Sequence, residues 1–289
     1  MPELPEVETT VSGLNKKVQG WIFFDVWTDF KEMVKRPKNF LQFKKEIRGK
    51  KIKEVRRRAK NILFKLSDSK TLLIHQKMTG HLLVGKWQFK KGQWIPSPGP
   101  MSEKFNTFIH LLFIFKNGQM LALSDLRKFS KVELWRTKEL EESEYLKKLG
   151  PEPLDKDFTF KKFREIFKKQ KGKIKQVLMN QEVIAGIGNI YSDEILWEAK
   201  VNPFYQTNAL ADKELKRTYQ AMKKILRRAI KLKGTSISDF RTISGEKGYY
   251  GKEKKVYRRE GEECRRCCSK IKRVKIGGRS AHFCPICQK

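Results

Sequence analysis

Cysteine is missing from the first 263 residues of this 289-residue chain; Cys264, Cys267, Cys268, Cys284 and Cys287 all fall near its end. With no upstream partner for them, a secreted scaffold stapled by disulfides along its length is excluded, and a reducing compartment, the cytoplasm, is expected. No apolar run approaches the ~18 residues that a membrane span requires. The opening MPELPEVE is acidic and lacks the apolar core of a secretory signal, so none is expected. There is no internal repeat and no low-complexity tract, and 19 glycines are far too few for a collagen-like fibre. Acidic residues are scarce against basic ones: 32 Asp and Glu face 65 Lys and Arg, a formal charge of +33.

What is present describes a folded protein. Hydrophobic residues make up 39% of the chain, with 19 Phe and 6 Trp, enough for one large core or two ordinary ones. A charge of +33 opposes compaction and is relieved by a polyanion, which makes nucleic acid the leading partner. A generally Lys-rich proteome is the competing explanation, and it accounts for scattered Lys better than for clustered Arg. Four of the cysteines read C-x2-C-x16-C-x2-C, the spacing of a zinc ribbon, in which two knuckles turn four thiolates toward one ion. Cys264, Cys267, Cys284 and Cys287 are therefore the expected ligands of one zinc. Cys268 is left over, either as a packed thiol or as a competitor for the metal.

Periodicity divides the chain into textures and predicts an α+β protein. PELPEVETTVSGLNKKVQG places Val7, Val11 and Leu14 at helical spacing, with Gly20 as a stop. From Trp21 to about Trp135 come short apolar runs: ILFKL (62–66), TLLIH (71–75), HLLVG (81–85), FIHLLFIF (108–115) and QMLAL (119–123). These read as strands of a largely antiparallel sandwich. Residues 86–106, rich in Pro and Gly, read as a loop. The prolines of LGPEPLDKD (149–157) mark a linker. Helical patterns follow at 158–170, 174–180, 189–201 and 211–234. The expected division is 1–136 as an N-terminal β-sandwich domain, 137–156 as linker, 157–254 as a helical domain and 255–289 as a zinc finger.

Several residues invite a chemical reading beside a plain one. If Met1 is removed, Pro2 presents a secondary amine, which adds directly to a carbonyl and forms an iminium. An α-amino group with a pKa of about 8 is partly neutral at pH 7. Glu3 and Glu6 stand close by as proton donors or acceptors. Equally, Pro2 and the two acids suit the first turn of a helix. Gly186 and Gly188 ahead of Asn189 form a glycine turn before a helix, which on its own is weak support for phosphate binding. Lys60 follows Arg56, Arg57 and Arg58 and is either phosphate-contacting or one more solvated charge. His75, Met78, Arg127, Phe129 and Arg279 are further candidates. Met78 and Phe129 ordinarily read as core and Arg127-Lys128 as a turn, but an apolar wedge flanked by Arg is also what proteins insert into an unstacked duplex.

The motifs MPELPEVET, RRRAKNILFKL, LIHQKMTGHL, SDLRKF, LGPEPL, AGIGNIYSDEILW and GGRSAHFCPICQK, in this order over residues 2–288, resemble the bacterial formamidopyrimidine-DNA glycosylase family. The PELPEVET start is similar to the purine-oxidation branch rather than to the endonuclease VIII branch. The resemblance implies a β-sandwich, a helix–two-turns–helix domain and a zinc finger, in a monomeric cytoplasmic enzyme that associates with the nucleoid through DNA. It implies excision of 8-oxoguanine and formamidopyrimidines through a Schiff base, followed by β- and δ-elimination. Pro2 matches the nucleophile, Glu3 the general acid and Glu6 a supporting carboxylate. Lys60, Asn189 and Arg279 match phosphate contacts, and Met78, Arg127 and Phe129 match residues that fill the void left by the flipped base; His75 is grouped with these DNA contacts. Residues 237–252 match a lesion-recognition loop, and the zinc is structural. Gln76-Lys77, Leu126, Ser130 and Cys268 depart from the family pattern. The alternatives are an oxidised-pyrimidine glycosylase and a DNA-binding protein that has lost the chemistry.

Overall fold

Helix α1 (Leu4–Val18) forms because Val7, Val11, Leu14 and Val18 recur on one buried face, with Pro5 in its first turn. A computed structural model describes residues 1–236 and 240–289. The chain forms two units, Met1–Lys147 with Leu232–Gly251, and Lys148–Lys231 with Lys252–Lys289. Leu232–Gly251, grouped above with the helical domain, thus belongs to the first unit.

After α1 the first unit continues through β1 (Phe23–Thr28), β2 (Val34–Arg36), α2 (Phe40–Ile47), β3 (Ile52–Arg58), β4 (Asn61–Leu66), β5 (Lys70–His75) and β6 (His81–Gly85). Next come β7 (Trp87–Lys90), β8 (Gln93–Pro96), β9 (Ile109–Phe115), β10 (Met120–Ser124), β11 (Lys131–Arg136), α3 (Thr137–Glu142) and α4 (Glu144–Lys147). One sheet has the order β1-β9-β10-β6 and the other β2-β11-β5-β4-β3; every pairing is antiparallel except β11 with β2. The two sheets and the apolar face of α1 share one core, to which Phe64, Ile74, Leu82, Phe113 and Leu121 contribute. This is the expected sandwich with its N-terminal helix.

Residues 86–106 are not a plain loop. Strands β7 and β8 pair as a hairpin across Lys91-Gly92, both at positive φ (48° and 81°), the backbone of a tight two-residue turn. Trp87 and its partners Trp27 and Trp94 cover the outer side of Leu83, Leu112 and Ala122. The run FIHLLFIF is apolar on both sides for this reason: Leu111, Phe113 and Phe115 face the shared core while Ile109 and Leu112 face the hairpin's cluster. Similarly, the stretch expected to be linker carries the short helices α3 and α4.

The second unit holds α5 (Phe160–Lys168), α6 (Ile174–Met179), α7 (Asn189–Ala199), α8 (Asp212–Lys231), β12 (Lys272–Ile276) and β13 (Arg279–Phe283). In α5, Phe163 and Phe167 are fully buried and Phe163 packs against Tyr219 of α8. Nearly all of α7 is buried, as suits a central helix. Strands β12 and β13 form a hairpin across Gly277-Gly278, again both at positive φ.

Candidate functional site

The N-terminus of α1 carries the residues expected to react. Pro2 is buried, Glu3 is the N-cap at 2% exposure, and Glu3 and Glu6 form a capping box. One Glu6 oxygen, Oε2, accepts from the Glu3 backbone N–H (2.9 Å), while Oε1 accepts from the Thr235 N–H (2.7 Å). Gly234 is at φ +75°, and a Cβ there would stand 2.9 Å from Glu6, so glycine suits both backbone and space. The plain reading of the terminus is therefore seen, since the acids start a helix, and Glu6 in addition accepts from the Thr235 N–H of the 232–251 segment.

Elsewhere in this unit, Lys60 is buried at the β3–β4 turn. His75 ends β5, and its Nδ1 accepts from the Lys77 N–H (2.9 Å). Burial, and then the ammonium groups of Lys77, Lys60 and Lys131, push its pKa down to about 3, so the ring is neutral. The tips expected to enter DNA are exposed rather than core: Met78 at 37% and Phe129 at 51%, with the Arg127 guanidinium 4.5 Å from the Phe129 ring centre. Asp125, fully buried, ties the loops that bear them. Its carboxylate accepts from the Thr79 hydroxyl, from the Arg127 N–H (3.2 Å) and from the Ser130 N–H (2.7 Å).

The family departures acquire physical content here. Lys77 has φ +52° and Cys268 φ +59°, left-handed positions where glycine is the easier residue. Ser130 is buried, and its hydroxyl donates to the Gln76 carbonyl (3.1 Å). Gln76 is buried with neither side-chain amide atom paired, and nothing in the structure explains it.

In the second unit, Asn189 opens α7 after Gly188 and lines a groove of about 390 Å³ with Tyr257, Arg258, Arg273, Ser280 and His282. Among the described residues, the buried Asn189 Oδ1 atom has no hydrogen-bond partner. Arg279, exposed, begins β13 immediately before Ser280. Asp193 and Glu194 hold the finger to α7. Asp193 bonds Lys175 Nζ (2.5 Å) through Oδ1, and its Oδ2 accepts from the His282 N–H (2.9 Å). Glu194 accepts three backbone N–H groups, from Lys255, Val256 and Tyr257, while burial raises its carboxyl pKa.

The four expected ligands converge. The Sγ atoms of Cys264, Cys267, Cys284 and Cys287 all lie within 4.8 Å of one another, with Cys267–Cys284 at 3.4 Å and Cys264–Cys287 at 4.0 Å. Thiolates ~2.3 Å from a tetrahedral zinc stand about 3.8 Å apart, so the set fits that ion. The Trp197 indole N–H (3.4 Å) and the Cys287 N–H (3.3 Å) donate to the Cys264 and Cys284 sulfurs. Cys268 is exposed and outside the set.

Residues 1–132 match the formamidopyrimidine-DNA glycosylase N-terminal domain, 149–241 the H2TH domain of the same enzymes, and 261–289 the zinc finger found in FPG and IleRS. The chain belongs to the formamidopyrimidine-DNA glycosylase family. It is 37% identical to the Pelotomaculum thermopropionicum formamidopyrimidine-DNA glycosylase, covering 100% of this chain and 99% of the relative. It is 38% identical to the Lactococcus lactis subsp. cremoris enzyme, with both chains fully covered. Solved structures of the Lactococcus lactis protein are similar at 37% identity and a TM-score of 0.86. One is bound to DNA containing N7-benzyl-Fapy-dG, with both chains fully covered. The other is bound to abasic-site DNA, with 99% of each chain covered. As in this family, one structural zinc is held by the four cysteines. Among the described residues, no helix is long and apolar enough to cross a membrane.

Sequence reasoning missed the second rank of this glycosylase: Asp125, Asn106, Lys175, Asp193, Glu194, Arg241 and His282. Only the acidic pair in the middle of apolar NIYSDEILW was a usable signal, since buried acids in a central helix must be partnered.

Proposed function

We propose that the protein excises oxidised purines, 8-oxoguanine and formamidopyrimidines, from duplex DNA and then cleaves the strand. The observation that carries this is the buried Pro2–Glu3 pair at the N-terminus of α1, with Glu6 bonded to Glu3. With Met1 removed, the neutral Pro2 nitrogen attacks C1′ of an extruded nucleotide. The bond from C1′ to the base breaks with its electron pair, and the base departs with the proton that the Pro2 nitrogen gives up. Glu3 gives a proton to the sugar ring oxygen as the ring opens, leaving an iminium between Pro2 and C1′. The iminium acidifies the C2′ hydrogens; loss of one expels the 3′ phosphate, and a second elimination expels the 5′ phosphate. Extrusion is required because C1′ of a stacked nucleotide is closed to attack.

Met78, Arg127 and Phe129 occupy the space left behind, and Lys60, Asn189 and Arg279 contact phosphates. The three exposed or half-exposed loop tips and the cationic composition support these roles. We infer a monomer acting in the bacterial cytoplasm on chromosomal DNA.

Borohydride reduction in the presence of an 8-oxoguanine duplex tests the reading. A covalent adduct at Pro2 is expected, with Met1 absent by intact mass. Glu3→Gln should keep binding the duplex while excision falls by about 10²-fold or more. A processed N-terminus that yields no adduct, or wild-type excision by Glu3→Gln, contradicts the mechanism.

A further inference from the structure

One buried polar system in the first unit has no place in the chemistry above. Asn106, with no exposed surface, gives its Nδ2 hydrogens to the Pro100 carbonyl (2.7 Å) and the Gly245 carbonyl (3.1 Å). With its nitrogen so used, its Oδ1 is the acceptor for His81 Nε2 at 2.9 Å. The other ring nitrogen, Nδ1, lies 3.4 Å from the Thr79 carbonyl oxygen, and burial lowers the His81 pKa. Beside them, Arg241, 2% exposed, makes a two-point ion pair with Glu103: Nε donates to Oε2 at 2.5 Å and Nη2 to Oε1. The guanidinium lies 5.1 Å from the Phe105 ring centre and also donates to the Phe240 carbonyl (2.8 Å).

These groups join distant stretches of sequence. Arg241 and Gly245 belong to the described C-terminal stem of the 232–251 segment, whose other stem is bonded to Glu6 at Thr235. His81 follows Thr79 and Gly80, and Thr79 is bonded to Asp125, which holds the loop of Arg127 and Phe129. The Ser124 hydroxyl, next to Asp125, donates to the Phe105 carbonyl (2.8 Å).

We propose that the Arg241–Glu103 pair, with Asn106 and His81, is a positioning strut that sets the 240–251 backbone against the Met78 and Arg127–Phe129 loops, and so governs release of the damaged base rather than cleavage of the sugar. Greasy packing would hold the segment at least as tightly, because burying Arg, Asn and His costs solvation. A forked Arg–carboxylate pair and a doubly donating amide add direction, which apolar packing lacks. The segment's first stem shares Glu6 with Glu3, so its backbone adjoins the reacting terminus. A base leaving C1′ must be held there; an abasic sugar has no base to hold. The inference rests on the reading that Pro2 attacks C1′.

The test compares single-turnover base release from an 8-oxoguanine duplex with strand cleavage of the same duplex carrying a preformed abasic site. Arg241→Met and Glu103→Gln should slow base release about tenfold or more, since small misplacements are costly, and leave abasic cleavage within about twofold. The reversed pair, Arg241→Glu with Glu103→Arg, should bring the ratio most of the way back. Glu103 is one-third exposed, so Glu103→Gln carries the test if Arg241→Met does not fold. An unmoved ratio, or equal loss in both reactions, overturns the strut. Wild-type protein that cleaves neither substrate instead overturns the reading beneath it.

Discussion

His75 titrates far from an exposed imidazole. The unfolded chain takes up its proton near pH ~6.5, the folded chain only at about 3. Between those values the unfolded state binds more protons, so stability is lost as pH falls, by up to ~1.4 kcal/mol per pH unit. His81, whose pKa burial also lowers, adds in the same direction. His75→Asn keeps an acceptor for the Lys77 N–H and should flatten the pH dependence of urea unfolding between about pH 4 and 6. A slope equal to that of wild type would remove His75 from the account. At this scale, the residues legible in the sequence were those whose chemistry is unusual in itself: an N-terminal proline beside acids, and paired cysteines. Asn106 fell in the stretch read as a loop, and Asp125 drew no reading of its own. Their burial comes from segments far away in the chain, which no local pattern reports.

The elements divide in the same way. Helix α1 and strands β4, β5, β6, β9 and β10 announced themselves by period, because each buries a regular face or a continuous run. The β7–β8 hairpin was masked by Pro96, Pro98 and Pro100, although its Lys91-Gly92 turn and its Trp residues carry the pairing. The finger is an element whose order depends on its metal as much as on its packing. Asp193 and Glu194 fix its root to α7, while the β12–β13 hairpin follows the first cysteine knuckle and leads into the second. Zinc removal with a chelator should therefore disorder the β12–β13 hairpin and abolish binding of lesion DNA before the helical core melts. Circular dichroism and fluorescence anisotropy of a labelled duplex, followed during a zinc titration, check this. Binding that survives complete zinc loss would separate the finger from DNA contact.

For the molecule as a whole, charge sets the terms. A formal +33 makes affinity for DNA fall steeply with salt, through release of counterions from neutralised phosphates. Arg279→Ala should weaken binding to damaged and undamaged duplexes alike and lower the log–log salt slope by about one. An unchanged slope would mean that Arg279 contacts no phosphate. By itself, the sequence determined the fold class, the four metal-binding cysteines and the polyanionic partner, because each depends on residue types at fixed spacing or on summed charge. Only the tertiary structure decided that residues 232–251 return to the N-terminal unit, that Glu6 bridges Glu3 to Thr235, and which polar residues are buried and paired. Those facts follow from chain segments meeting across separations from 18 residues, as for Lys175 and Asp193, to 229, as for Glu6 and Thr235, where hydrogen-bond satisfaction rather than local periodicity chooses the partner.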